Sequence, residues 1–379
     1  MKTFTLILLI FIPILLSGLS NPATKANTDT DPVNEWIQAK MQEFDIPGLS
    51  LVVIKDGKII RHNSYGLASI EFDVPVSNET VFQIASTTKG FTGVGIMMLV
   101  EEGKLSLSDR IGDVLPGIPS SWKDVTVRQI MTHTSGLPRI LETPGTMTGK
   151  EEIPGESFKD AVNWLSRKPN EFSPGEKWVY NQTGYMLAKW IIELKSGKSW
   201  EEFAKERIFV PSGMSSTSFG GLRDIVMKRA TIYEGHPKKG KRQFDKLIVD
   251  PRITTAAGIN TTSGDMAKWL IALEKEKLLK KSFLDVLWTP IKLKNGEFFK
   301  MPVGDMKLKY GLGWMIIEFP SGHRAVGGEG GSYNAFLYFP EQDLAVVVLT
   351  NRMESHDLRL VIGIARQYIP ELKTEKSRQ

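Results

Sequence analysis

Beyond Lys89, the segment 81–103, VFQIASTTKGFTGVGIMMLVEEG, is apolar on nearly every side. A helix carrying Phe91, Val94, Met97, Met98 and Val100 has no face to give to water, so the rest of the chain must wrap it. The small polar residues Ser86, Thr87 and Thr88 stand where an N-cap or first turn belongs, between a short strand-like run and that helix. Ser86 and Lys89, three apart at a helix start, share one face. Such a pair brings a nucleophile and a base together without a histidine. Burial strips water from the lysine and lowers its proton affinity, which a neutral amine base requires. A plain cap followed by a surface lysine has the same spacing. Ser120-Ser121-Trp122-Lys123 repeats it inside LPGIPSSWKD, where no long apolar helix follows. The apolar helix behind Ser86 sets the first pair apart.

A chain of 379 residues can hold one large domain or two ordinary ones. Its 41% hydrophobic and 24% charged residues match a globular, enzyme-sized protein and not a disordered one. The net charge of +5 comes from scattered lysines. They cluster only at 238–242 (KKGKR) and in the tail, without interleaved aromatics, so nucleic acid is not an expected partner. With no cysteine there is no thiol nucleophile, no disulfide and no lipid-modified cysteine. His62, His133, His236, His323 and His356 are dispersed without HExxH spacing, so no metal centre is expected. There is no Gly-x-Ser-x-Gly elbow and no Gly-rich phosphate loop, and no cofactor is expected. Residues 1–20 combine a positive start at Lys2, an apolar core over 4–16 and the small-residue exit Gly18-Leu19-Ser20, the pattern of a secretory signal. The apolar run is short for a span and contains Pro13; left uncleaved, it would serve as a membrane anchor. Export to a periplasm or the cell exterior is the expectation.

After a polar leader at 21–29, Asp31-Pro32 opens a helix with Val33, Trp36, Ile37, Met41 and Phe44 on one side. LSLVVIK (49–55), Asp56-Gly57 and KIIRHNSYG (58–66) spell an antiparallel hairpin. Residues 125–138 predict a short helix capped by Ser135-Gly136, with His133 and Thr134 bracing a loop instead of performing chemistry. A further helix is expected over 158–167, with Ala161, Trp164 and Leu165 on one face. In 172–197, Pro174-Gly175 makes a turn, Trp178-Val179-Tyr180 an extended piece and 185–194 an amphipathic helix. Tyr180 therefore stands at a loop-to-helix junction from which a phenol can reach into a cleft. Residues 235–246 look like an exposed insertion. The Gly-, Pro- and Asp-broken apolar runs of 310–351 predict about three antiparallel strands, followed by a helix over 355–368. The whole predicts a mixed α/β (α+β) fold: an antiparallel sheet built from both chain ends, flanked by helices, with an inserted all-helical lobe. The sheet lobe would take about 30–80 and 305–370 and the helical lobe about 81–304 of a single domain, 21–379, with the site at their junction.

Taken together, GLSLVVIKDGKIIRHNSYGLA, FQIASTTKGFT, GKLSLSDRI, VTVRQIMTHTSGLP, YNQTGY, IFVPSGM, AAGINTTSGDMAKW, YGLGW and the closing strands resemble the serine β-lactamase and DD-peptidase superfamily. They look closest to its class C β-lactamase-related esterases and D-aminopeptidases. The motifs follow the family's order over nearly the whole mature chain. The resemblance implies a sheet-and-helix body, an all-helical lobe and a serine between them. It implies that Ser86 is acylated, that Lys89 activates it, and that Tyr180, at the family's Tyr-x-Asn, relays the proton to the leaving group and from the attacking water. The oxyanion would lie between the backbone N–H groups of Ser86 and Gly331.

Two positions depart from the family. Its asparagine after the tyrosine is here Gln182, and its late-strand Lys-Thr-Gly or His-x-Gly is matched by Gly328-Glu329-Gly330. Gly328 removes the cation or imidazole that often holds a substrate carboxylate, and Glu329 adds a negative charge nearby. Like charges a few ångströms apart repel by on the order of a kcal/mol. The expectation is an exported serine hydrolase forming an acyl-enzyme on ester, amide or β-lactam bonds of small-molecule or peptide substrates, favouring uncharged ones. The competing expectation is a non-catalytic peptidoglycan- or peptide-binding protein on the same fold, supported by Gln182 and Gly328. No residue pattern sets the number of copies that assemble.

Overall fold

The computed structural model describes residues 31–141, 153–221, 224–234, 243–244, 250–331, 333–353 and 357–372. The expected export signal, the leader and most of the 235–246 insertion lie outside the described residues.

Asp56 and Gly57 take φ of 51° and 65°, the positive values that a two-residue hairpin turn needs to match the strands' twist. They join β1 (Gly48–Lys55) to β2 (Lys58–Ser69), in a register running from Lys55↔Lys58 to Gly48↔Gly66 with one irregularity at Val53/Ile54. On its other side β1 pairs antiparallel with β14 (Leu344–Thr350), so the two ends of the chain meet at the centre of one sheet. Among the described residues the sheet has nine strands, in the order β3 (Val74–Pro75), β2, β1, β14, β13 (Asn334–Phe339), β12 (Arg324–Gly330), β11 (Met315–Glu318), β10 (Met306–Tyr310) and β9 (Met301–Val303). Beyond Tyr310 the chain forms four strands and not three. The turn at 320–322, Pro-Ser-Gly, splits one apolar run into β11 and β12.

Side chains alternate across this sheet. Leu49, Leu51, Val53, Val346 and Val348 enter one core, with Val33 and Ile37 of α1 (Pro32–Glu43) and Leu360, Val361 and Ile364 of the helix Asp357–Tyr368. Val52, Ile54, Val347, Leu349, Val326 and Phe336 enter the other, beneath α2 (Thr88–Glu101) and the helix Ser263–Glu274. All seven residues of β14 are buried, as expected of a strand covered on both faces.

The inserted stretch is mainly helical, with the helices Val127–Met131, Phe158–Leu165 and Thr183–Ser196 among its members. It also holds a small three-stranded sheet, formed by β4 (Phe82–Gln83), β8 (Ile259–Thr261) and β5 (Ser218–Phe219), and the pair β6 (Tyr233–Glu234) and β7 (Gln243–Phe244). The helix expected over 125–138 ends at Met131. His133 then takes φ 60°, in the left-handed region, and turns the chain.

Every residue of α2 from Thr88 to Leu99 is buried. Phe91, Val94, Ile96, Met97, Met98 and Leu99 each gain roughly 1.5–3 kcal/mol on burial. Their sum, on the order of 10 kcal/mol, outweighs the cost of carrying one amine into the interior, provided that amine is neutral.

Candidate active site

Ser86 lies in the 3-10 turn Ala85–Thr87 and does not cap α2, because no side chain bonds the helix start. Its hydroxyl is left for other partners. Ala85, the residue before it, takes φ 43°, a strained conformation for a residue with a Cβ and one found often at functional turns. One turn on, Lys89 is 1% exposed. Its amine donates to Ser86 Oγ at 3.2 Å and to the Ala256 carbonyl at 3.0 Å. Burial pushes its proton affinity below the ordinary lysine value, and the nearby Tyr180 only partly offsets this. The structure thus places the Lys89 amine in the interior and beside the serine hydroxyl.

Tyr180 arrives from the extended segment before the helix Thr183–Ser196 and is 39% exposed. Its Oη donates to Ser86 Oγ at 2.9 Å, and Lys89 Nζ stands 4.9 Å from the centre of its ring. Ser86, Lys89 and Tyr180 are therefore brought together, with the serine oxygen between the amine and the phenol. An amine that loses its proton can receive one from the serine through the same 3.2 Å contact.

The amide beside the tyrosine divides into two roles. Asn181, which sequence reasoning did not single out, is buried; it donates to the Leu137 carbonyl at 2.6 Å and accepts from the Thr183 N–H at 2.8 Å, pinning the loop. The signal was its place inside the same Tyr-Asn-Gln string. Gln182 is tied to neither Ser86, Lys89 nor Tyr180, and its buried Oε1 has no partner among the described residues.

The end of β12 lies against the Ser86 turn. A Cβ at Gly330 would collide with the Ile84 carbonyl oxygen and stand 2.9 Å from Thr87 N, so only glycine lets the strand approach this closely. Gly331 follows with φ 61°. Gly328 shares the face of Gly330, and a Cβ there would stand 2.9 Å from the Phe336 ring. Glu329 pairs across the ladder with Ala335, whose side chain belongs to the core under α1, so strand alternation turns the Glu329 side chain to the face away from Ser86. Burial raises its proton affinity. The repulsion expected from Glu329 is therefore reduced by the sheet between it and the serine. The missing cation at Gly328 remains.

His133, a loop brace by its place in the sequence, packs against the site itself. It is 1% exposed and its ring lies 4.4 Å from that of Tyr180. Burial first, and then the neighbouring Lys89, keeps its proton affinity well below that of ordinary histidine.

The sequence profile of the Beta-lactamase family matches residues 33–367. The chain belongs to this beta-lactamase family. Among curated relatives, it is 28% identical to Penicillin-binding protein 4* of Bacillus subtilis (strain 168) over 341 residues, 84% of this chain and 71% of that protein. It is 26% identical over 251 residues, 64% of this chain, to Protein flp of Staphylococcus aureus (strain N315), of which it spans 49%. Among solved structures, this beta-lactamase-family chain is similar to the octameric penicillin-binding protein homologue from Pyrococcus abyssi, with TM-score 0.75, 28% identity and coverage of 89% and 77% of the two chains. The hydrolase EstCE1 shares the fold at TM-score 0.72 and 20% identity, over 88% and 96% of the two chains. These neighbours share the fold described above, an antiparallel sheet with flanking helices.

Proposed function

We propose that this chain is an exported serine hydrolase that turns over uncharged esters or amides through an acyl-enzyme on Ser86. The observation that carries the reading is Ser86 Oγ held 3.2 Å from a buried amine and 2.9 Å from a phenol. Neutral Lys89 takes the Ser86 proton as Oγ attacks the carbonyl carbon, and the carbonyl electrons move onto oxygen. The N–H groups of Ser86 and Gly331 hold that oxyanion. As the bond to the leaving group breaks, Tyr180 protonates it and is reprotonated by Lys89. Water then gives a proton to the same pair as its oxygen adds to the acyl carbon, and the pair passes that proton to Ser86 Oγ as the Oγ–acyl bond breaks, which releases the acid and restores the free serine. Export rests on the leader at 1–20.

The preference for uncharged substrates follows from Gly328. Beside that position stands the ring of Phe336, packed on Trp314 and Trp269, where the family resemblance expects a cation or an imidazole. A carboxylate placed there would lose water without gaining a partner. Rates on a short-chain aryl ester and on a chromogenic cephalosporin, measured side by side, test this. The ester is expected to react faster, and a clear preference for the cephalosporin would overturn the proposal.

A further inference from the structure

We propose that His133 is the positioning residue for Tyr180, clasping it from both sides and tying it through Tyr310 to the main sheet. This rests on the acyl-enzyme reading and adds the device that aims its phenol. Val179 N–H donates to the His133 carbonyl at 3.0 Å, and Asn181 N–H donates to His133 Nδ1 at 3.1 Å. The residues immediately before and after Tyr180 are thus both bonded to one histidine. The imidazole fills the space between, with its centre 4.4 Å from the Tyr180 ring. Its far nitrogen, Nε2, lies 3.2 Å from Tyr310 Oη at the end of β10. Tyr180 and His133 belong to the inserted region and Tyr310 to the sheet, so this contact crosses the seam on which Ser86 sits.

The groups facing the imidazole are Lys89 from α2, Tyr180 and the Trp178 indole from the extended segment before the helix Thr183–Ser196, Tyr185 from the first turn of that helix, and Tyr310 from β10. No carboxylate is among these neighbours to hold a proton on the ring, and a charged imidazole would oppose a protonated Lys89. The imidazole therefore serves as an uncharged block of fixed shape. His133 itself sits at φ 60°, a conformation that surrounding contacts must hold in place. A phenol displaced by about 1 Å costs on the order of a hundredfold in rate, so small shifts of this clasp are readable in turnover.

The test compares His133→Asn, Tyr310→Phe and the double variant in the full-length protein. Asparagine keeps an acceptor near the Asn181 N–H while losing the ring, and phenylalanine keeps the ring while losing the hydroxyl. On an aryl ester, kcat is expected to fall about tenfold or more in each single variant, with KM within about twofold. The double variant should be no slower than the slower single one, because both remove the same contact. Folded single variants with kcat within about twofold of wild type, or losses that multiply in the double variant, would overturn the inference. Labelling of Ser86 by a fluorophosphonate in the wild type separates the two claims: its absence sinks the acyl-enzyme reading itself.

Discussion

Tyr180 Oη reaches Ser86 Oγ at 2.9 Å across 94 positions of sequence. The serine is presented by a strained 3-10 turn and the phenol by an extended segment from another part of the chain. Nothing local to either residue fixes the contact. It depends on α2 being enclosed from Thr88 to Leu99 and on the loop at 133–138 meeting residues 179–183.

Removing only the hydroxyl isolates the proton relay. Tyr180→Phe keeps the ring against His133, so its melting temperature should stay close to that of wild type. Turnover of an aryl ester should fall by about 10²–10⁴-fold, the usual contribution of a positioned acid–base group. Steady-state kinetics beside a thermal melt checks this, and a loss below about tenfold would remove Tyr180 from the relay.

Lys89 links activity to pH and to stability with one sign. In the folded chain its affinity for protons is lowered, chiefly by burial, so between that lowered value and about 10.4 the unfolded state binds more protons. Stability contributed by this group therefore rises with pH through that window, by at most about 1.4 kcal/mol per pH unit. Activity should rise along the same limb as the amine loses its proton. Lys89→Met should abolish turnover and flatten this part of the stability curve in denaturant titrations. An unchanged slope would contradict a neutral Lys89.

His133 predicts a loss of stability on the acid side. Its folded form refuses a proton that the unfolded chain accepts below about pH 6.5. The unfolded state then binds more protons, so stability falls as pH drops through that value. Comparing wild type with His133→Asn at pH 7 and pH 5 should show a smaller acid loss in the variant. Equal losses would mean that the imidazole takes its proton in the fold.

The seat of β12 against the Ser86 turn is tight enough to test by one methyl group. Gly330→Ala sets a Cβ against the Ile84 carbonyl and 2.9 Å from Thr87 N. Overpacking of this kind costs about 1–3 kcal/mol, and pushing the strand outward should slow acylation of Ser86. Thermal melts and labelling rates read the two effects, and wild-type values for both would show that the strand can give way.

What could be read from the chain was what adjacent residues decide. Asp56-Gly57 states its turn by its own backbone preferences, and the Ser86–Lys89 face follows from helical spacing with an apolar stretch behind it. His133 was legible only as a brace, since what it braces is set by Val179, Asn181 and Tyr310, the last of them 177 positions away. The helix end at Met131 escaped because His133, not glycine, takes the left-handed turn. Asn181 escaped because the family pattern draws attention to position 182, whereas the buried amide bonds lie one residue earlier. The facing of Glu329 needed the β12–β13 register, which a run of glycines does not specify.

The most direct measurement is peptide mapping by mass spectrometry after incubation with a fluorophosphonate, on wild type, Ser86→Ala and Lys89→Met. The account predicts a single adduct on the peptide holding Ser86 in the wild type, none in Ser86→Ala, and a much slower reaction in Lys89→Met. An adduct on another residue, or ester turnover that survives in Ser86→Ala, would contradict it.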